Sequence, residues 1–238
     1  MKKLELSIKT TSQCQRRCKN CSVLPWMDAN PEFHTSIEQI ENLIKYSKES
    51  NYHWEYILLS GGEPLLWENL VQGTKLLYES GITSRLILLT NGLAITELNL
   101  NKLTKVIKNV HEFRISKYSD NHRQIELAQE YFGHFKNKYG KNVLNVVDRQ
   151  EHLVPPKKQE VYNIGTTCTC SAYAMNGSEI SYCGPAQCIK YLDLPGSRMF
   201  SRKITSADFL NDLSISADKC MVCISNAEVA RTLKKEKS

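Results

Sequence analysis

An α/β fold, with a parallel sheet or an open barrel at its centre, is predicted for the chain up to Arg149. Short apolar runs alternate with amphipathic stretches of helical period, and every connection between runs is long enough to hold a helix. Each apolar run also ends in a polar or glycine-rich turn, the end at which folds of this class gather their reactive groups. Leu4 to Lys9 (LELSIK) alternates apolar and polar residues and reads as the first strand. Thr35 or Ser36 then opens an amphipathic helix with Ile37, Ile40, Leu43, Ile44 and Ser47 at helical spacing. Tyr56 to Ser60 (YILLS) is a buried strand that ends at Gly61-Gly62-Glu63-Pro64. A helix from Glu68 to Glu79 stops at Gly81, and Arg85 to Gly92 (RLILLTNG) is a third strand with its turn. Helix Glu97 to Lys108, strand His111 to Tyr118, helix Arg123 to Lys138 and strand Asn142 to Asp148 complete the series.

Beyond Pro155-Pro156 the alternation stops. Ser171 to Cys183 reads as a β-hairpin turning at Asn176-Gly177. Ala207 to Leu213 suits a short helix, and a terminal helix follows the CxxC of Cys220 and Cys223. Two units are therefore expected, 1–156 and a smaller cysteine-bearing one at 157–238.

The 238 residues can bury one good core with a small appendage, and 41% apolar with 24% charged residues suits a soluble globular protein. No apolar run approaches the roughly 20 residues of a membrane-spanning helix. The start, MKKLELSIKTTSQC, lacks the apolar core of a secretory leader, so a cytoplasmic protein without membrane association is expected. A net charge of +6 is scattered along the chain, apart from the tail RTLKKEKS. That distribution reads as solubility and only weakly as a nucleic-acid footprint.

Nine cysteines fall in two groups: Cys14, Cys18 and Cys21, then Cys168, Cys170, Cys183, Cys188, Cys220 and Cys223. Clustering in a reducing compartment argues for metal ligation over disulfides, and the odd count fits a pure disulfide scheme poorly. The C-x₃-C-x₂-C spacing lets three thiolates converge from one loop onto one compact centre. Three cysteines leave an iron–sulfur cube with one iron lacking a protein ligand, where chemistry can happen. Structural zinc is the alternative, but it wants a nearby fourth ligand, and His34 is the nearest. Arg16, Arg17 and Lys19 either offset the thiolate charge or face solvent.

C-x₃-C-x₂-C after a first strand, with GGEP after the second, resembles the radical S-adenosylmethionine (radical SAM) superfamily, in order and spacing from Leu4 to Arg149. The resemblance implies a partial (β/α)6 barrel in which Cys14, Cys18 and Cys21 hold a [4Fe–4S] cluster whose fourth iron binds S-adenosylmethionine. It assigns Gly61, Gly62 and Glu63 to the methionine amino group, where glycines permit close backbone approach and a carboxylate accepts from an ammonium. Asn91 and Ser116 stand where members hold the cofactor's carboxylate or ribose; each is otherwise a plain turn residue. Members often carry an aromatic residue before the third cysteine, near the adenine. Here it is Asn20, and the adenine contact is left unassigned. The implied chemistry is reductive cleavage of S-adenosylmethionine to a 5′-deoxyadenosyl radical that takes a hydrogen from substrate, with the protein positioning the partners and excluding water.

The later cysteines resemble the small α+β twitch/SPASM extensions that hold auxiliary [4Fe–4S] clusters. Cys183, Cys220 and Cys223 are the implied ligands, with Cys170 or alternatively Cys168 as the fourth; zinc suits the CxxC equally well. Such a cluster would accept an electron from a substrate radical or support the fold. In twitch-containing dehydrogenases an arginine near the end of the barrel lies close to the reacting alcohol, and Arg149 occupies a comparable place as a candidate catalytic residue, or is a surface arginine. The expected activity is an oxidoreductase-type reaction, dehydrogenation or epimerisation, on a small molecule, with a flavodoxin or ferredoxin as electron donor. Modification of a peptide, a nucleoside or a nucleic acid, and a non-catalytic metal-binding module, are the other readings.

Overall fold

The five apolar runs form strands in the expected order in the computed structural model, which describes residues 4–18, 21, 23, 25, 28–148, 172–182 and 201–209. They are β1 (Leu4–Lys9), β2 (Trp54–Ser60), β3 (Leu86–Thr90), β4 (Glu112–Lys117) and β5 (Leu144–Asp148). Each pairs in parallel with its sequence neighbour. The hairpin follows as β6 (Ala172–Asn176) and β7 (Glu179–Tyr182), and β8 (Ser201–Lys203) pairs with β7. The hairpin turns through Gly177 and Ser178, one residue later than expected, because Asn176 pairs with Glu179; Gly177 has a φ of 61°, in the left-handed region that glycine enters without strain.

This hairpin does not stand apart from the five parallel strands. β6 runs parallel to β1, with Glu5 opposite Ala172 and Lys9 opposite Asn176. One sheet results, in the order β5-β4-β3-β2-β1-β6-β7-β8, and its sixth parallel strand sits at the β1 edge. The physical reason is that Leu6 and Ile8 are fully buried, so β1 needs a partner on both edges for its backbone groups. The boundary at 156/157 falls outside the described residues.

Among the described residues, four helices join the strands. α1 (Ile37–Glu49) starts at Ser36 with a capping box closed by Gln39. α2 (Leu70–Ser80) ends at Gly81 with φ 71°. α3 (Leu100–Ile107) follows a 3₁₀ turn at Glu97–Asn99, and α4 is His122–Phe132. Each helix lies against the next, covering the sheet with a layer in which Ile40, Leu43, Leu70, Leu77, Leu103, Val106 and Phe132 meet Leu6, Ile57, Leu59, Leu86, Leu88 and Phe113. α4 stops short of the expected Lys138. The chain turns at Gly133, and Phe135 folds back against Phe132 with ring centroids 6.2 Å apart. The Phe135 carbonyl then accepts from Val143 N–H at 3.0 Å, which leads into β5. Of the short helix expected from Ala207, residues beyond Phe209 are outside the description.

Gly73 shows how closely α2 approaches the turn before it. A Cβ there would lie 2.1 Å from the Trp67 ring, and Trp67 is fully buried with its indole N–H on the Thr35 carbonyl at 2.7 Å. Gly73→Ala should therefore destabilise the protein by about 1–3 kcal/mol although alanine favours helices. Chemical denaturation of the variant tests this, and unchanged or raised stability would contradict the packing.

At the opposite end of the strands from the cysteine loop, His111 is buried beside Tyr78 and Tyr139, and its Nδ1 accepts from Leu86 N–H at 3.0 Å. Burial, then the charges of Lys138 and Arg85, push its pKa below the ordinary 6.5. The unfolded chain takes the proton first, so this contribution is complete above 6.5 and declines as pH falls below it. Denaturation midpoints should fall from pH 7 to pH 5 less steeply in His111→Gln than in the natural chain.

Candidate functional site

The site lies where β1, β2, β3 and β4 end. Beyond Lys9 the β1–β2 ladder continues: Thr10 N–H donates to the Ser60 carbonyl at 2.9 Å, Gly62 N–H to Thr11 at 2.7 Å, and Glu63 N–H to Gln13 at 2.7 Å. Gly61 to Glu63 thus runs hand in hand with the segment that leads into Cys14. Gly61 has φ 123°, and a Cβ there would lie 2.8 Å from the Thr11 carbonyl oxygen. At Gly62 it would lie 2.1 Å from the Gln13 oxygen. Both glycines are required by the cysteine loop's own backbone.

Glu63 is fully buried, and its carboxylate is engaged from within. Oε1 accepts from Leu65 N–H at 3.0 Å and Thr90 Oγ1 at 2.5 Å, and Oε2 from Asn91 N–H at 2.8 Å. Burial raises its pKa above the ordinary value, against these donors and the Arg16 charge. Asn91 has its side-chain oxygen on Leu93 N–H at 2.9 Å and its amide nitrogen 3.9 Å from the Cys14 sulfur. Ser116 is buried at the end of β4.

Asn121, fully buried at the start of α4, joins these strand ends, and sequence reasoning passed it by. Its amide donates to the carbonyls of Asn91 at 2.7 Å and Ser116 at 2.8 Å, and its oxygen accepts from Tyr118 N–H at 2.9 Å. The signal available was an asparagine at a strand-to-helix corner, where that side chain commonly bonds nearby backbone.

The base of the cysteine loop is closed by a second arrangement invisible in the motif. Lys9, only 2% exposed, pairs with Asp28, which also accepts from Ser12 Oγ at 2.6 Å. Burial alone would raise the Asp28 carboxyl, but Lys9, Ser12 and Asn30 N–H outweigh it and hold the pKa below the ordinary value. Thr35 N–H on the Thr10 carbonyl at 2.8 Å and Ser12 N–H on Phe33 at 2.9 Å fasten the returning strand of the loop.

Cys14, Cys18 and Cys21 are all half-buried, and Cys21 N–H donates to the Cys18 carbonyl at 3.2 Å. Burial pushes the Cys14 thiol up to about 11, with Glu63, Cys21 and Cys18 adding to the rise against the Arg16 backbone N–H. A thiol so placed stays protonated in neutral water and releases its proton to solvent when a metal cation binds the sulfur. Among the described residues no three His, Cys, Asp or Glu side chains gather as around a single metal ion. A cluster asks for something different, since each cysteine then binds its own iron. The donor set fits a cluster in chemistry: three soft sulfurs on one loop, an N–H at 3.4 Å and an amide at 3.9 Å from the Cys14 sulfur, and a buried Arg16 Nε–H with no acceptor among the described residues. Of the three basic residues in the loop, Arg16 turns inward and Arg17 is exposed. Lys19, Asn20, Arg149, Cys168, Cys170, Cys183, Cys188, Cys220 and Cys223 lie outside the described residues.

Residues 8–145, more than half of the chain, match the model of the radical SAM superfamily. Among solved structures, the crystal structure of BtrN in complex with AdoMet and 2-DOIA is similar with a TM-score of 0.59 and 16% identity, covering 100% of this chain and 91% of that one. BtrN in an open conformation gives a TM-score of 0.54 and 14% identity over 93% of this chain and 88% of that one. Streptococcus suis SuiB bound to S-adenosylmethionine gives 0.44 and 14% over 99% and 73%. No curated protein matches the sequence. Among the described residues no helix is long and apolar enough to cross a membrane. The α/β fold is that of the two BtrN structures, and the family match, spanning both the cysteine loop and the GGEP turn, makes this chain a member of the radical SAM superfamily, whose members are enzymes that use a [4Fe–4S] cluster and S-adenosylmethionine.

Proposed function

We propose that the protein is a radical SAM oxidoreductase acting on a small molecule by dehydrogenation or epimerisation, with Cys14, Cys18 and Cys21 holding the cluster. The observation that carries this is the clasp between the cysteine loop and Gly61 to Glu63, built from two backbone hydrogen bonds of 2.7 Å and glycines that leave no space for a Cβ. When bound, the cluster and S-adenosylmethionine supply one-electron reduction and hydrogen abstraction. The chain's own residues present the cysteines and shape the site. Gly61 and Gly62 hold the loop, Asn91 directs an amide at the Cys14 sulfur, and Ser116 and Asn91 offer polar groups at adjoining strand ends to the cofactor's carboxylate or ribose. Glu63 serves this reading through the backbone around it, because its carboxylate already serves Leu65, Thr90 and Asn91.

The small-molecule reading is supported by the fold likeness to BtrN, whose crystal structure holds AdoMet and 2-DOIA. An auxiliary [4Fe–4S] cluster on Cys183, Cys220, Cys223 and Cys170, or Cys168, completes the proposal in a twitch/SPASM-like unit at 157–238. Its support is the register of the hairpin: Tyr173 pairs with Tyr182, and the sequence continues from that open end toward Cys170 on one side and Cys183 on the other. Arg149, next after β5, is proposed as the group nearest the reacting substrate, a flavodoxin or ferredoxin as the electron donor, and the cytoplasm as the compartment that keeps these thiols reduced.

Anaerobic reconstitution tests the core of this reading. The natural chain should produce 5′-deoxyadenosine under a strong reductant, and the Cys14/Cys18/Cys21→Ala triple variant should not while retaining about four irons. Absence of 5′-deoxyadenosine from well-loaded protein would sink the catalytic reading, and a single zinc in place of the retained irons would sink the auxiliary cluster. Deuterium transfer from candidate substrates into 5′-deoxyadenosine then identifies the substrate.

A further inference from the structure

We propose that Arg16 is a positioning residue that latches the tip of the cysteine loop onto the end of β4 through Tyr118 and Asp120. This rests on the reading of Cys14, Cys18 and Cys21 as cluster ligands. Arg16 lies between the first two of those cysteines, and its backbone N–H donates to the Cys14 sulfur at 3.4 Å. Its guanidinium lies over the Tyr118 ring, 4.0 Å from the centroid, and its Nη2 pairs with Asp120. The arginine side chain is 16% exposed and the aspartate 57%, so the guanidinium is drawn inward while its partner stays at the surface.

The latch has a fixed anchor. Tyr118 donates its N–H to Asn121, Asn121 holds the carbonyls of Asn91 and Ser116, and the Asn91 amide faces the Cys14 sulfur. Contacts therefore leave the cysteine loop at Arg16, cross the ends of β4 and β3, and return to the loop at Cys14. A surface arginine would instead keep its whole head group in water. A guanidinium stacked on a ring and paired with a carboxylate fixes the loop between two of its cysteines without itself binding metal. Without the latch the loop remains tied at its base by Lys9 and Asp28 but loses this fastening of its tip.

The test times the decay, in the presence of an iron chelator, of the EPR signal that responds to S-adenosylmethionine. Arg16→Gln and Asp120→Asn should each lose that signal roughly three- to tenfold faster than the natural chain. The double variant should lose it no faster than Arg16→Gln alone, and Arg16→Lys, which keeps a charge beside Asp120, should recover much of the retention. Thermal midpoints of the metal-free variants should stay close to the natural one, since Asp120 is largely exposed. A natural chain without any such signal would overturn both the cluster reading and the latch. A normal signal whose decay is unchanged in the single variants, or whose losses simply multiply in the double variant, would overturn the latch alone.

Discussion

Gly62→Ala should strip the cysteine loop of iron and end production of 5′-deoxyadenosine while leaving the sheet folded. The added Cβ would sit 2.1 Å from the Gln13 carbonyl oxygen and 2.7 Å from its carbon, and both are backbone atoms that no side-chain rotation can clear. Gln13 immediately precedes Cys14, so the displacement passes directly to a cluster ligand. The bonds from Gly62 to Thr11 and from Glu63 to Gln13 would open together. Overpacking of this kind costs about 1–3 kcal/mol, and loss of two buried backbone pairings adds to it. The cost falls at the end of the sheet, away from the helix layer, so far-UV circular dichroism should be native-like while iron per chain drops by the content of one cluster. Gly81→Ala is the control. It carries a positive φ, 71°, which Gly62 does not, but a Cβ there meets nothing within 4 Å, so it should cost only the backbone strain and leave iron unchanged. Normal iron in Gly62→Ala would show that the clasp is not what holds the loop.

Glu63→Ala should lower stability as well as activity, which separates the structural account of this residue from a ligand-binding one. Removing the carboxylate leaves Thr90 Oγ1, Leu65 N–H and Asn91 N–H in the interior without their acceptor. Breaking a buried charged network of this size costs roughly 3 kcal/mol, or about 6–12 °C in the thermal midpoint of a chain this long. Glu63→Gln keeps one carbonyl oxygen for Leu65 and Thr90 but turns an amide N–H₂ toward Asn91, so it should cost less than the alanine variant. A midpoint unchanged in Glu63→Ala, with S-adenosylmethionine binding lost, would mean that the carboxylate serves the cofactor directly.

These two residues mark how far the candidate site was legible. The strand runs, the Ser36 cap, the Gly81 stop and the presence of the hairpin, though not its turn residues, could all be read because each depends on neighbours within a few positions. Cys14, Cys18, Cys21 and the GGEP turn could be named for the same reason. Two of the groups that Glu63 bonds to could not, since Thr90 and Asn91 lie 27 and 28 positions away at the end of another strand. Asn121, Lys9 with Asp28, and Arg16 with Asp120 were missed on the same ground; the last pair is 104 positions apart. The end of α4 was overextended because the residues after Gly133 still read as polar helix, whereas the fold turns there to bury Phe135 against Phe132.

The sequence by itself determined which segments are strands and helices, that three thiols share one loop after the first strand, and that a glycine-rich turn follows the second. Periodicity and ligand spacing are local properties, carried by side-chain chemistry and short-range backbone geometry. Only the tertiary structure decided that the hairpin joins the sheet at β1, that the glycines answer to the cysteine loop's backbone, and that Arg16 turns inward while Arg17 stays exposed. Those outcomes depend on which distant groups become neighbours when the strands align. In this buried site Thr90 and Asn91 find their acceptor Glu63 across strand ends, and no short stretch of sequence contains both partners.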